Sequence, residues 1–81
     1  MTWRPHPLVL GAVYMVPASI NTHAGSFSHG RQYRFVNTEY SPYDSSTIFT
    51  FEVVGTELFV GWWWHDDEPD SLPSVRFCRI S

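Results

Sequence analysis

Two adjoining segments carry the side chains best suited to binding or chemistry. Three tryptophans occupy positions 62–64, and one histidine and four carboxylates follow within residues 65–70. An exposed indole can stack on a sugar, a proline or a cation, and Trp is common at the energetic centre of protein interfaces. The pattern therefore predicts a contact surface made of Trp62, Trp63, Trp64, Asp66, Asp67, Glu68 and Asp70.

The acidic segment also invites comparison with cation-binding loops, because closely spaced carboxylates can hold a hard divalent cation. It has neither the glycine at the turn nor the glutamate at the twelfth position of a calcium loop. His6, His23 and His29 lack ligand spacing, and Cys78 has no second cysteine beside it. We therefore predict a solvated acidic loop with no metal and no cofactor. A metal-dependent enzyme using His65 and the acids at 66–70 is the alternative.

Nucleophilic catalysis would need a hydroxyl or thiol beside a base. His23 and His29 lie in the same predicted loop as Ser26 and Ser28, so a serine–histidine pair is conceivable there. The chain contains no G-x-S-x-G, phosphate-binding or dinucleotide-binding motif. No catalytic residue is predicted.

Composition limits the class of protein and of partner. The 81 residues suffice for one domain, and 14 of them are Phe, Tyr or Trp, which can supply a dense core. The net charge of −3, with five scattered arginines and no lysine, argues against nucleic acid as a partner. A lone cysteine in so small a domain favours a reducing compartment, and we expect a cytoplasmic protein.

The uncharged run at residues 8–20 is too short to span a bilayer and contains Pro17, so no membrane partner is expected. Arg4, the apolar residues 8–16 and the following Pro17-Ala18-Ser19 loosely resemble a signal peptide. A first β-strand is the favoured interpretation of this segment.

The elements that would position these residues are short β-strands. Strand-like runs cover residues 8–16, 32–36, 47–54, 57–64 and 74–80. Residues 18–30 are predicted to form a long loop that Phe27 attaches to the core. Residues 37–46 are predicted to form a turn segment, with turn signals at Ser41-Pro42 and Asp44-Ser45. On the fourth run, Trp62 and Trp64 point to one side and Trp63 to the other.

Alternation within these runs predicts the core. One face of each run carries large apolar residues, and the opposite face carries polar ones. The residues expected to be buried are Val13, Tyr33, Phe35, Phe49, Phe51, Phe59, Val75 and Phe77.

Five short strands without helical periodicity predict a single all-β domain over residues 1–81. We expect a small five-stranded SH3-like barrel, because closure removes exposed sheet edges. An OB-like barrel and a half-open β-roll are the alternatives.

Several spacings resemble a group of short bacterial domains of unknown function with a G-x-x-Y, F-x-x-G and Pro-Tyr-acid skeleton. The matching residues are Gly11-x-x-Tyr14, Phe27-x-x-Gly30, Tyr33-x-Phe35, Ser41-Pro42-Tyr43-Asp44 and Ile48-Phe49-x-Phe51. The similarity covers residues 11–60, and it departs at Ser45-Ser46, where those domains have a second acid and a glycine. The resemblance implies a compact β-rich domain and brings no activity with it.

The function these observations favour is a non-enzymatic protein-binding module. Its partner would be a basic, partly apolar protein or peptide, or a second copy of the chain forming a homo-oligomer. An acidic inhibitor or immunity-type protein is the closest alternative.

Overall fold

The computed structural model describes residues 5–81 and is built mainly of antiparallel strands. Within that part of the chain the elements are β1 (Val13–Met15), β2 (Ile20–Thr22), β3 (Gly25–Phe27), β4 (Tyr33–Ser41), β5 (Ser46–Val53), β6 (Phe59–His65), α1 (Leu72–Arg76) and β7 (Cys78–Arg79). The all-β prediction is confirmed, with α1 as a short addition. No helix in residues 5–81 is long or apolar enough to cross a membrane.

The strands form two sheets. Five strands pair in the order β6-β5-β4-β1-β7, and β2 pairs with β3 as a separate hairpin. Among the described strands no pairing joins β6 to β7, so the sheet ends at these two strands. This pairing does not show the closed five-stranded barrel that the sequence predicts.

A bulge changes the phase of β4. Its register with β5 shifts between Phe35 and Asn37, so Val36 is the extra residue. Beyond the bulge Thr38 and Tyr40, rather than Asn37 and Glu39, lie on the same side as the core residues of β5. β4 continues past the bulge to Ser41, whereas the sequence predicts a strand that ends at residue 36.

The core is aromatic and lies on one side of the five-stranded sheet. Phe51 packs at its centre, with ring centroids 4.7 Å from Phe77, 5.4 Å from Phe27 and 5.4 Å from Phe35. Phe27 is fully buried, which confirms that it anchors its segment to the core. Six of the predicted core residues are buried: Val13, Tyr33, Phe35, Phe49, Phe51 and Phe77.

The prediction of burial was wrong for two residues. Phe59 is 60% exposed, because Val60, Trp62 and Trp64 pair with core residues of β5 and the alternation of β6 then turns Phe59 outward. Val75 is 62% exposed because its segment forms helix α1 rather than a strand. Pro73 occupies the first turn of this helix, where a missing N–H costs nothing.

Where the sequence predicts a loop at residues 18–30, the structure forms the β2–β3 hairpin. The tip of this hairpin forms hydrogen bonds with the edge of β6. The Gly61 N–H donates to the Ala24 carbonyl at 3.2 Å, and the Thr22 hydroxyl donates to the Gly61 carbonyl at 2.8 Å. Gly25 has φ 122°, and a Cβ there would lie 2.8 Å from Val60 Cγ1. The hairpin thus occupies backbone groups that an edge strand would otherwise expose.

His6 covers the core beside Phe35 and Phe49, with ring centroids at 5.9 and 4.9 Å. Desolvation lowers the pKa of His6 and outweighs the raising effect of backbone hydrogen bonding at Leu8. The unfolded chain therefore binds a proton more readily than the folded one once the pH falls below about 6.5. The free energy of unfolding should decrease as the pH falls from there through the lowered pKa.

We expect the urea midpoint to decrease between about pH 7.5 and about pH 5.5, and this decrease to be smaller in His6→Phe. Phenylalanine retains an aromatic ring against Phe35 and Phe49 but cannot bind a proton. All other ionisable groups are identical in the two proteins and serve as a common background. An identical pH dependence in the two proteins would contradict a role for His6.

Candidate functional site

The three consecutive tryptophans divide between the core and the surface. Trp62 is 5% exposed and Trp64 is fully buried, whereas Trp63 is partly exposed on the opposite side of β6. Trp62 stacks on Phe49 with ring centroids 5.6 Å apart, and Trp64 donates from Nε1 to the Pro69 carbonyl at 3.1 Å. The predicted alternation is confirmed. Of the three indoles, Trp63 is the most exposed.

Trp63 lies in a cleft of about 320 Å³ beside the tip of the β2–β3 hairpin. Its ring centroid is 4.5 Å from that of His23, with 57° between the planes. The hydrogen bonds from the hairpin tip to Gly61 hold His23 in this position. Among the described residues nothing accepts a hydrogen bond from the buried Trp63 Nε1, so the indole is held by packing alone.

Charged side chains border the same cleft. Glu68 comes from the turn after β6, and Arg76 comes from the end of α1. The Glu68 carboxylate accepts a hydrogen bond from the His65 N–H at 2.8 Å, and the Glu68 N–H donates to the His65 carbonyl at 3.0 Å. These two bonds form a defined turn in the segment for which the sequence predicts only a solvated loop.

A second, acidic cleft of about 410 Å³ adjoins the first. Its lining comes from the β4–β5 turn and from the end of β6, and consists of Asp44, Ser45, His65, Asp66 and Asp67. The Tyr40 hydroxyl donates to Asp66 Oδ2 at 2.6 Å, and the Asp66 N–H donates to the Ser45 carbonyl at 2.8 Å. His65 lines both clefts, so the Trp63 cleft and the acidic cleft lie next to each other.

The position of His65 limits the chemistry it can perform. Its Nδ1 lies 2.6 Å from the Ser46 hydroxyl, which itself donates to the Asp44 carbonyl at 2.9 Å. Because a hydroxyl has one proton, His65 Nδ1 must then be the donor to Ser46. Ser46 is fully buried, so this pair presents no nucleophile to a substrate.

The histidine rings in and next to the β2–β3 hairpin contact groups other than Ser26 and Ser28. His29 Nδ1 lies 3.1 Å from the Val16 carbonyl, and His23 packs on Trp63. Ser26 and Ser28 line a different cleft from His23. Within residues 5–81, no group of three or more His, Cys, Asp or Glu side chains is arranged to hold a metal ion.

The residues of the predicted surface differ in burial and in the cleft that they line. Asp66, Asp67 and Glu68 border the two clefts with Trp63, and the buried Trp62 also lines the Trp63 cleft. Exposed Asp70 lines neither cleft, and Trp64 is fully buried in the core. Sequence reasoning missed His23 and Arg76, which are distant in the chain from Trp63. Tyr43 is 99% exposed next to Asp44, which lines the acidic cleft.

Comparison with known proteins gives a fold and no activity. No family model matches the chain, and no curated protein does. The resemblance to short bacterial domains therefore stays a prediction. Among solved structures, an integron cassette protein from the mobile metagenome of Vibrio cholerae, VCH_CASS4, is 22% identical with a TM-score of 0.66. The match covers 91% of this chain and 87% of that one, so the two chains share their fold over nearly their whole length.

Proposed function

We propose that this protein is a non-enzymatic binding module that holds a basic, partly apolar protein or peptide on the surface around Trp63. The observation that carries the proposal is the position of Trp63, partly exposed beside His23 in a cleft next to the acidic one. An indole of this kind supplies contact area, and the fold holds it rigid before a partner arrives.

The charges around Trp63 favour a partner with a positively charged surface. Among the described residues, the two clefts are lined by four carboxylates, those of Asp44, Asp66, Asp67 and Glu68, and by the guanidinium of Arg76. A local excess of negative charge attracts a basic surface and accelerates its association. The exposed ring of Tyr43 would extend the apolar part of the contact.

The same surface suits the narrower role of an acidic inhibitor or immunity-type protein, which also binds a basic partner. A second copy of the chain is the simplest form of partner, with Trp63 covered by the other protomer. We place the protein in the cytoplasm, in keeping with its single, exposed and unpaired Cys78.

The test begins with sedimentation of the purified protein over a range of concentrations and with affinity capture from the native lysate. Any complex is then measured again with Trp63→Ala, which should weaken binding about thirtyfold. Asp67→Asn should slow association severalfold and change dissociation little, since Asp67 is exposed. Phe59→Ala, at the opposite end of β6, is the control and should bind as the wild type does.

Unchanged binding by Trp63→Ala would refute the proposal. A metal titration followed by tryptophan fluorescence examines the alternative, because Trp63 lies beside His65 and Glu68. Stoichiometric zinc, manganese or nickel would favour the metal-dependent enzyme. We expect no such binding.

A further inference from the structure

A third cleft, of about 270 Å³, lies on the β3 side of the hairpin, whereas the Trp63 cleft lies on the β2 side. It runs between the end of β3 and the start of β6, near the connection that contains Gly55. Nothing in the proposed binding function uses it. One of its walls is polar and the other is apolar.

Arg31 is the charged group of the polar wall. Its side chain is exposed, and none of the acids in the described part of the chain lies within 4.0 Å of it. The Arg31 N–H donates to the Ser28 carbonyl at 3.2 Å, which fixes the backbone that carries it. The guanidinium thus keeps its full set of donors for an anion.

Tyr33 adds a neutral donor to the same wall. Its hydroxyl oxygen accepts a hydrogen bond from the Ser28 N–H at 2.7 Å, so its own hydrogen is free to be donated elsewhere. Within residues 5–81 no acceptor for that hydrogen is found. The hydroxyl of Ser26 borders the cleft as well.

The apolar wall is formed by the start of β6. Leu58 is 65% exposed and Phe59 is 60% exposed, and Val53 and Val60 complete this side. Large apolar side chains that are exposed next to each other are typical of surfaces that bind a ligand or another protein. Here they face a cleft whose other side carries an unpaired cation.

We propose that this cleft binds a small apolar carboxylate, one carboxyl group attached to a single aromatic ring or branched aliphatic group. Arg31 pairs with the carboxylate through two parallel N–H donors, and Tyr33 donates to one of its oxygens. The apolar group packs against Phe59 and Leu58. A single guanidinium in a protein of net charge −3 matches one negative charge better than a phosphate dianion. The small volume restricts the ligand to about one ring.

Phenylacetate is the probe, titrated into the wild-type protein while each backbone amide is followed by NMR. We expect saturable shifts confined to the amides around Arg31, Tyr33 and Phe59. Neutral phenylacetamide should bind at least about tenfold more weakly, because it lacks the charge that Arg31 pairs with. Inorganic phosphate should not compete.

Arg31→Gln should weaken phenylacetate binding by a similar factor, whereas Arg79→Gln, an exposed arginine on β7, should not change it. Phe59→Ser should also weaken binding, and Trp63→Ala should leave it unchanged. The amide spectra show whether each variant is folded. Equal binding of phenylacetate and phenylacetamide, undiminished binding by Arg31→Gln, or no saturable shift would overturn the proposal.

Discussion

Phe51→Ala should destabilise the protein by about 3–5 kcal/mol, which is a large part of the stability of so small a domain. Phe51 is fully buried, and its ring contacts Phe27, Phe35 and Phe77 from three separate segments. Truncation leaves a cavity between elements that cannot close together around it. We expect a variant that is largely unfolded or has a strongly reduced urea midpoint.

Equilibrium urea unfolding followed by circular dichroism measures this loss. Thr50→Ala, the neighbouring residue on the outer side of β5, is the control and should cost less than about 1 kcal/mol. Similar urea midpoints for Phe51→Ala and Thr50→Ala would mean that Phe51 is not on the side of β5 that faces the core.

Alanine substitutions at two adjacent tryptophans should have opposite consequences. Trp64→Ala should cost about 3–5 kcal/mol, because Trp64 is fully buried and its Nε1 donates to the Pro69 carbonyl. Trp63→Ala should cost less than about 2 kcal/mol, since part of its ring is already in water. Trp63→Ala should instead weaken partner binding.

The same urea series, combined with binding measurements, compares the two variants. Trp64→Ala is read for stability only, because an unfolded chain binds nothing specifically. A Trp63 variant that unfolds as readily as the Trp64 variant would make Trp63 a core residue and remove the basis of the proposed surface.

Strand β6, which carries the three tryptophans, shows how much side-chain alternation can predict. The period of two separates Trp63 from Trp62 and Trp64 without any structure. The same period, continued from the buried Trp62 and Trp64, places Val60 inward and Phe59 outward, yet Phe59 is assigned to the core by its hydrophobicity. Here periodicity is the better guide, because a strand cannot turn two successive side chains to the same face without a bulge.

The sequence of residues 73–77 is compatible with either a strand or a short helix. Val75, Arg76 and Phe77 alternate like a strand, whereas Pro73 suits the first turn of a helix equally well. Only packing distinguishes them. Phe77 stacks on Phe51 with ring centroids 4.7 Å apart, and the short helix before it leaves Val75 exposed.

Local patterning by itself determined the all-β class, the face of β5 that enters the core and the division of the three indoles, because each depends on neighbours along one strand. The tertiary structure decided what lies around Trp63. His23 reaches it from a hairpin some forty residues earlier, and the acidic cleft joins the β4–β5 turn to the end of β6. The open sheet and the bulge at Val36 likewise depend on pairing between strands. Contacts of this kind depend on register and chain path, which side-chain periodicity within a single strand does not encode.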